Sequence, residues 1–342
     1  MFTAQEAINR LCDKREIFYD EMVDLMRQVM EGKVSQVQLS AILMGLHVKT
    51  ESVSEIAAAA AVMREFSTRV DANGLPHLVD TCGTGGDKSQ TFNISTAAAL
   101  LVAGVGVRVA KHGNRSFTTQ CGSADVLEAL GVSIDVSVPV MESALRDAGI
   151  VFMFAPLMHP AMRHVGPVRR ELGVQTIMNL VGPLANPARA GRQVVGVSDP
   201  RRMPLIAGAL AELNSVHALV VHGEGMDEIS PFVTTQVVEV QRGSVRSWEI
   251  DPRRFGYGSG SAEEVAGGAP VANASAIMRV LRAEGNATAT AAVVLNAAAA
   301  LYVAGRAVTY DDAVEQAKAA VDAGAGIGAL DRLRVAFARP SF

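Results

Sequence analysis

Two glycine-rich segments lie close together in the chain, and their residues suit the binding of phosphate esters. The first is Gly83, Thr84, Gly85, Gly86 and Asp87, leading through Thr91 to Asn93, Ser95 and Thr96. The second runs from Lys111 through His112, Gly113, Asn114 and Arg115 to Ser116, followed by Gly122, Ser123, Ala124 and Asp125. Glycine lets backbone N–H groups approach a phosphate closely, and a following helix adds the positive end of its dipole. Two such segments in series fit a ligand with two phosphate centres. Neither has the lysine and helix spacing of the P-loop or of the dinucleotide fingerprint. Taken alone, the first segment is equally a tight strand-to-helix turn, and Lys111 a solvated surface lysine.

Two further groups carry charge. Asp227 and Glu228 are adjacent carboxylates in a loop that opens Gly223, Glu224, Gly225. Such carboxylates repel unless a cation or base neutralises them, and magnesium held by one or two carboxylates plus substrate phosphates is the usual solution. An acidic turn facing water is the alternative. Arg169 and Arg170 follow Pro167 and Val168. An arginine fork can grip a carboxylate in bidentate fashion, while a surface ion pair with Glu171 would use the same residues structurally.

These residues need elements to position them. Up to about residue 70 the pattern is helical. Thr3 to Glu6, Ser35 to Gln38 and Ser52 to Glu55 have the form of capping boxes. Met22, Leu25, Met26 and Val29, then Leu39, Ile42, Leu43 and Leu46, repeat at helical spacing, and Gly32 ends the second helix. Turn residues from Asp71 to Pro76 mark a linker. Beyond it, apolar runs alternate with helical segments. Leu78–Val79, Val107–Ala110, Val132–Val136, Ile150–Ala155, Val194–Val197 and Ala218–Val221 read as strands, so Lys111 and His112 follow directly on one of them. Thr235–Val240 and Ser244–Ile250 read as an antiparallel hairpin, and the chain from Asn273 onward as helix. The fold class is therefore α/β: a small N-terminal helical bundle domain (1–72) and a large α/β domain (73–342) with a mainly parallel central sheet.

Composition excludes several functions. The 342 residues are 49% hydrophobic, with a net charge of -4 and 5% aromatic residues. No basic stripe or stacking platform is present, which speaks against nucleic acid. The uncharged stretch from Ala287 to Gly305 is mostly Ala and Thr around Asn296, too weakly apolar for a membrane span and better suited to a buried helix. Cys12, Cys82 and Cys121 have no metal-ligand spacing and are odd in number, so a reducing, cytoplasmic setting fits. No signal peptide is evident at Met1–Glu6.

Taken in order, the segments Gly83–Asp87, Asn93–Thr96, Lys111–Ser116, Gly122–Gly131, His159–Met162, Pro167–Gly173, Asn179–Pro187 and Gly225–Ser230 resemble the anthranilate phosphoribosyltransferase family of tryptophan biosynthesis. The resemblance implies a cleft between the two domains, helices from about 160–185 joining the small one, and a homodimer. It implies magnesium bound with phosphoribosyl pyrophosphate, and anthranilate as acceptor. By that pattern Gly83, Gly85, Gly86, Asp87, Thr91, Asn93, Ser95, Thr96, Lys111 and Thr119 contact the diphosphate sugar. Gly83, His112, Asn114, Arg169, Gly182 and Pro183 form the anthranilate site, with Arg169 facing the carboxylate. Ser95, Asp227 and Glu228 hold the metal, and Lys111 stabilises the leaving group. The chain departs from the family at Phe117–Cys121, where many relatives have two serines and a basic residue, and at Met158, where many have a histidine.

The implied reaction is displacement of diphosphate by the anthranilate amine. That amine is neutral at pH 7, so the pattern calls for no general base. A pyrimidine nucleoside phosphorylase shares the architecture and a glycine-rich phosphate loop, and a nucleic-acid-binding relative that has lost catalysis is a second alternative. The Lys111–Ser116 segment and the Asp227–Glu228 pair favour the transferase over the first, and the acidic balance disfavours the second.

Overall fold

The three capping boxes all form in the computed structural model, which describes residues 2–86, 89–116 and 120–338. The opening bundle comprises α1 (Ala4–Cys12), α2 (Tyr19–Met30), α3 (Gln36–Lys49) and α4 (Val53–Glu65). The apolar stripes of α2 and α3 are buried, and Gly32 turns the chain after α2 at φ +73°.

Seven strands follow: β1 (Val79–Gly83), β2 (Val109–Gly113), β3 (Ile150–Phe154), β4 (Arg192–Gly196), β5 (His217–His222), β6 (Thr235–Gln241) and β7 (Ser244–Ile250). They form one sheet in the order β3-β2-β1-β4-β5-β6-β7. The first five are parallel, and β6 and β7 add antiparallel. Arg242 and Gly243 both take positive φ between β6 and β7, as a two-residue turn matched to strand twist requires.

The large part also contains α5 (Ile94–Gly104), α6 (Ser123–Ala129), α7 (Val138–Asp147), α8 (Ala155–Met158), α9 (Gly166–Leu172), α10 (Ile177–Val181) and α11 (Met203–Glu212). Four more close the chain: α12 (Pro270–Leu281), α13 (Ala287–Val303), α14 (Tyr310–Asp322) and α15 (Ala325–Ala336). The weakly apolar stretch is α13, buried almost all round and packed on α5 and α14. Among the described residues no helix is long and apolar enough to cross a membrane.

The sheet separates two apolar cores because successive side chains alternate between its faces. Val194, Leu219 and Val221 face the core built with α5 and α13. Val195, Ala218 and Val220 face the core that holds the bundle helices and α9 to α11. Helix α11 contributes Met203, Ile206 and Leu210 to the same core. Helix α11 lies so close to α4 that a Cβ on Gly208 would sit 2.7 Å from Val53 Cγ2. A largely buried ion pair between Glu51 and Arg202 closes the same contact.

Two expectations need correction. Val132–Val136 is not a strand. Val132 and Ile134 are buried, so the alternation reports one-sided packing of an extended link between α6 and α7, without a ladder partner. Strands β1 and β2 also run further than their apolar stretches suggest. They include Asp80 to Gly83 and Lys111 to Gly113, because partners inside the protein satisfy the polar side chains.

Candidate active site

Of the predicted binding residues, Gly83, Gly85, Gly86, Ser95, Lys111, His112, Asp227 and Glu228 gather about the carboxyl ends of β1, β2, β4 and β5. The chain leaves β1 toward β2 on one side, while β4 lies on the other. Their junction is the place where an open α/β sheet leaves a crevice for ligands.

The acidic turn after β5 reaches across this crevice. Asp227 Oδ2 accepts from the backbone N–H of Gly85 at 2.9 Å, and Glu228 Oε1 accepts from that of Ser95 at 3.1 Å. Space for this approach exists only because two facing residues lack side chains. A Cβ on Gly83 would sit 2.4 Å from Asp227 Oδ2, and one on Gly196 would sit 1.6 Å from the Asp227 carbonyl oxygen. Gly85 and Gly86 take φ of +65° and +76°, a region that side chains disfavour. A Cβ on Gly86 would meet Gln175 Nε2, which places that side chain against the glycine-rich loop.

Lys111 lies beneath the loop, 3% exposed. Its Nζ donates to the Thr81 carbonyl at 2.5 Å and contacts Ser95 Oγ at 3.3 Å. Burial lowers its pKa, while Asp80, Glu228 and Asp227 pull the other way. Asp80 is fully buried, which pushes its carboxyl upward against the opposing effect of Lys111. It accepts from Asn186 Nδ2 at 2.8 Å and from the His112 N–H at 3.2 Å. Asn186 also donates to the Ala110 carbonyl and accepts from the Ala188 N–H, so it ties β1 and β2 to the loop after α10.

The hydroxyl pair that opens α5 divides. Ser95 stays half-buried beside Lys111 and Glu228. Thr96 is 1% exposed, its Oγ1 has no hydrogen-bond partner among the described residues, and it lines a small cavity of about 10 Å³ with Lys111, Leu127 and Phe152. The two hydroxyls therefore differ in access, since the 3.6-residue turn of a helix points consecutive side chains in different directions. Thr91 is half-buried and bridges to Ala266. Asp87 and Thr119, and with them Phe117 and Thr118, lie outside the described residues.

In the second segment the Asn114 side chain accepts from the Arg115 N–H, and Ser123 Oγ donates to the Asn114 carbonyl. Arg115 pairs with Asp125 and Glu128 at 2.7 and 2.6 Å, so those carboxylates neutralise it. It holds the segment onto α6.

His112 at the end of β2 meets His159, with Nε2 to Nε2 at 3.2 Å. Burial first, then His159 and Lys111, lowers His112 to about 3; burial lowers His159 to about 4. Both rings are neutral at pH 7, and a single N–H can lie between them. The Gly182 backbone opposes that lowering of His112, so the Gly182–Pro183 turn lies at the same wall. The Pro183 carbonyl is held by Gln193 Nε2 at 2.9 Å. Met158 is a core residue, its carbonyl accepting from the Thr68 N–H.

Arg169 is half-buried on α9, and burial holds its guanidinium below the ordinary range. Its Nη2 lies 3.4 Å from Asn179 Oδ1 on α10. Among the described residues neither Arg169 nor Arg170 pairs with a carboxylate, so the surface pair with Glu171 does not form. A desolvated guanidinium without a counter-charge favours an anionic group brought by a ligand.

Sequence reasoning passed over Asp80, Asn186, Gly196 and His159 as individual functional residues. A buried Asp inside an apolar strand was the available signal for the first. The roles of Asn186 and Gly196 depend on contacts between distant parts of the chain.

The donors near the crevice suit a hard cation: Asp227, Glu228 and Ser95 offer oxygen only. Among the described residues no group of three or more His, Cys, Asp or Glu could hold a metal by itself.

A helical bundle joined to an α/β layer with a glycine-lined crevice is the arrangement of a two-part glycosyl transferase. A family model described as the glycosyl transferase family a/b domain matches residues 75–327, and the helical bundle domain model matches residues 5–67. The chain is 49% identical to the anthranilate phosphoribosyltransferase of Laribacter hongkongensis, over 97% of each chain. The solved anthranilate phosphoribosyltransferase of Thermus thermophilus superposes with a TM-score of 0.92 at 39% identity, covering 97% of this chain and 99% of that one. The Saccharomyces cerevisiae enzyme in complex with PRPP and Mg shares the fold, with a TM-score of 0.89 at 23% identity over 98% and 97% of the two chains. The chain belongs to the anthranilate phosphoribosyltransferase family.

Proposed function

We infer that this protein transfers the phosphoribosyl group of phosphoribosyl pyrophosphate to the amine of anthranilate, releasing diphosphate, as a step of tryptophan biosynthesis. The observation that carries the reading is the acidic turn bonded to both halves of the phosphate loop, Asp227 to Gly85 and Glu228 to Ser95. It unites carboxylates, glycine-loop N–H groups and a helix start at one crevice, the set a magnesium diphosphate needs.

Gly83, Gly85, Gly86, Asn93, Ser95 and Lys111, with Asp87, Thr91, Thr96 and Thr119, form the diphosphate-sugar site. Gly83, His112, Asn114, Arg169, Gly182 and Pro183 form the anthranilate site. Asp227, Glu228 and Ser95 would hold magnesium, which when bound neutralises charge on the departing diphosphate. The chain's own residues do the rest. The transition state carries positive charge on the sugar and growing negative charge on the leaving group. Lys111, held by Thr81 and desolvated, supplies a fixed positive charge that needs no reorganisation during reaction. Arg169 fixes the acceptor carboxylate, and the neutral His112–His159 pair walls the pocket without adding charge beside the sugar. The neutral amine attacks without a general base, and proximity supplies much of the remaining acceleration.

The bundle with the helices from about 160–185 forms one domain and the sheet with its remaining helices the other. The active form is a homodimer, for which the exposed Val37, Ala41 and Val48 on one face of α3 offer an apolar surface. The three unbridged cysteines agree with a cytoplasmic setting. Mass-spectrometric identification of N-(5-phosphoribosyl)anthranilate, beside a parallel incubation with thymidine and phosphate, tests the reaction. Thymidine cleavage without phosphoribosylanthranilate would overturn it.

A further inference from the structure

The second half of the phosphate loop is held from the far end of the chain. Residues 265–268 run antiparallel beside 90–92. The Phe92 N–H donates to the Val265 carbonyl at 3.0 Å, and the Gly267 N–H donates to the Gln90 carbonyl at 2.7 Å. The approach is so close that a Cβ on Gly267 would sit 2.5 Å from the Thr91 carbonyl oxygen. This strap leads into α12, whose first turn carries Asn273, 2% exposed. Asn273 uses both ends of its carboxamide. Oδ1 accepts from the Gly268 N–H at 2.7 Å, and Nδ2 donates to Asn93 Oδ1 at 3.0 Å. Asn93 passes the contact on: its Nδ2 donates to the Cys121 carbonyl at 3.1 Å, where the second glycine segment returns to α6.

We propose that Asn273 is a positioning residue for phosphoribosyl pyrophosphate, fixing the orientation of the Asn93 carboxamide and so the spacing of the two phosphate loops. The orientation of an amide is set by its partners. With Nδ2 of Asn273 as donor, Asn93 must present its oxygen to α12 and its N–H to Cys121. Without that donor the amide can turn, and the link between the loops is lost. Asn93 Oδ1 faces protein partners, Asn273 and the Cys121 thiol at 3.3 Å, so it sets loop geometry.

The inference rests on the transferase reading, and the test separates the two. Asn273→Asp keeps an acceptor for the Gly268 N–H but removes the donor to Asn93; Asn273→Ala removes both. Loss of the donor to Asn93, one neutral hydrogen bond, raises the KM for phosphoribosyl pyrophosphate about three- to tenfold in Asn273→Asp and at least as much in Asn273→Ala, which also leaves the Gly268 N–H unpaired. The KM for anthranilate stays near that of the parent protein, while the melting temperature of Asn273→Asp, lowered at about pH 8 by the buried carboxylate, recovers toward the parent's as the pH falls to about 6. Once protonated, the carboxyl group introduced by Asn273→Asp can donate to Asn93, so lowering the pH from about 8 to about 6 narrows this variant's difference from the parent measured alongside. Calorimetric binding of phosphoribosyl pyrophosphate with magnesium, scaled to the folded fraction, gives the same answer if turnover is low. Unchanged affinity for phosphoribosyl pyrophosphate in folded variants, or equal loss for both substrates, overturns the inference. A parent protein that neither turns over nor binds phosphoribosyl pyrophosphate overturns the transferase reading instead.

Discussion

Adding one methyl group at Gly196 tests whether the acidic turn must lie where it does. The Cβ of Gly196→Ala would fall 1.6 Å from the Asp227 carbonyl oxygen, 2.4 Å from its carbon and 3.1 Å from its Cα. Real Cβ atoms essentially never come closer than 3.0 Å, so the backbone at Asp227 must retreat by about 1.4 Å, the difference between 3.0 and 1.6 Å. The obstacle is main chain, with no flexible side-chain end to swing away. A retreat of that size breaks the 2.9 Å bond between the Gly85 N–H and Asp227 Oδ2. A hydrogen bond to a charged group contributes about 1.5–3 kcal/mol, so kcat/KM for phosphoribosyl pyrophosphate falls roughly 10- to 150-fold. The loss should lessen as magnesium is raised, because the metal ligand is displaced and not removed. Steady-state kinetics over a magnesium series, with a thermal melt to confirm folding, makes the measurement. A folded Gly196→Ala protein with kcat/KM within about twofold of the parent would show that the turn is free to move and that its registry with the phosphate loop is incidental.

Other perturbations read other parts of the site. Arg169→Ala should raise the KM for anthranilate by roughly 10- to 150-fold, the equivalent of about 1.5–3 kcal/mol for a lost charge-assisted contact, and barely change that for phosphoribosyl pyrophosphate; equal effects in a two-substrate titration would make Arg169 structural. Excess chelator should abolish turnover, and activity that persists with no metal detected in the protein would refute the assigned role of Asp227 and Glu228. Glu239→Gln tests stability away from the site. Glu239 is buried and accepts from His217, Arg246, Trp248 and Tyr302. Burial pushes its carboxyl upward, but the hydrogen bonds from His217, Arg246 and Tyr302 outweigh that and hold it down to about 2. Its folded pKa lies below the unfolded one, so its contribution is complete above about 4.5 and is lost as pH falls toward about 2. Arg246 is mostly exposed and Gln keeps an acceptor, so the loss is that of hydrogen bonds to a charged group, about 1.5–3 kcal/mol at neutral pH, and the acid-dependent drop in melting temperature should flatten in the variant. An unchanged acid profile would remove Glu239 as its source.

Much of the site could be read from the sequence because local patterns carried it. The capping boxes, the glycine run at Gly83 to Gly86 and the adjacent Asp227 and Glu228 need no partner to be recognised. The hairpin from β6 to β7 was legible because two strand-like runs flank the short Gln241–Gly243 turn, where Arg242 and Gly243 do take positive φ. What stayed hidden depends on contacts between distant parts of the chain. Nothing near Gly196 announces that Asp227 will press on it, and nothing near Asn273 announces Asn93, 180 residues away. The misread strand at Val132–Val136 shows the converse. Alternation records which side chains are buried, and only neighbours in space decide whether a ladder forms. Thr96 and Ser95 look equivalent as adjacent hydroxyls, yet the turn of α5 buries one and leaves the other beside Lys111.

The most direct test of the central claim follows the native fluorescence of anthranilate after mixing with the protein, phosphoribosyl pyrophosphate and magnesium, each omitted in turn. Loss of the signal only when all components are present, with diphosphate released in equal amount, is the predicted result. A signal that persists in the complete mixture, or that falls without phosphoribosyl pyrophosphate, would contradict the assignment of this crevice to phosphoribosyl transfer.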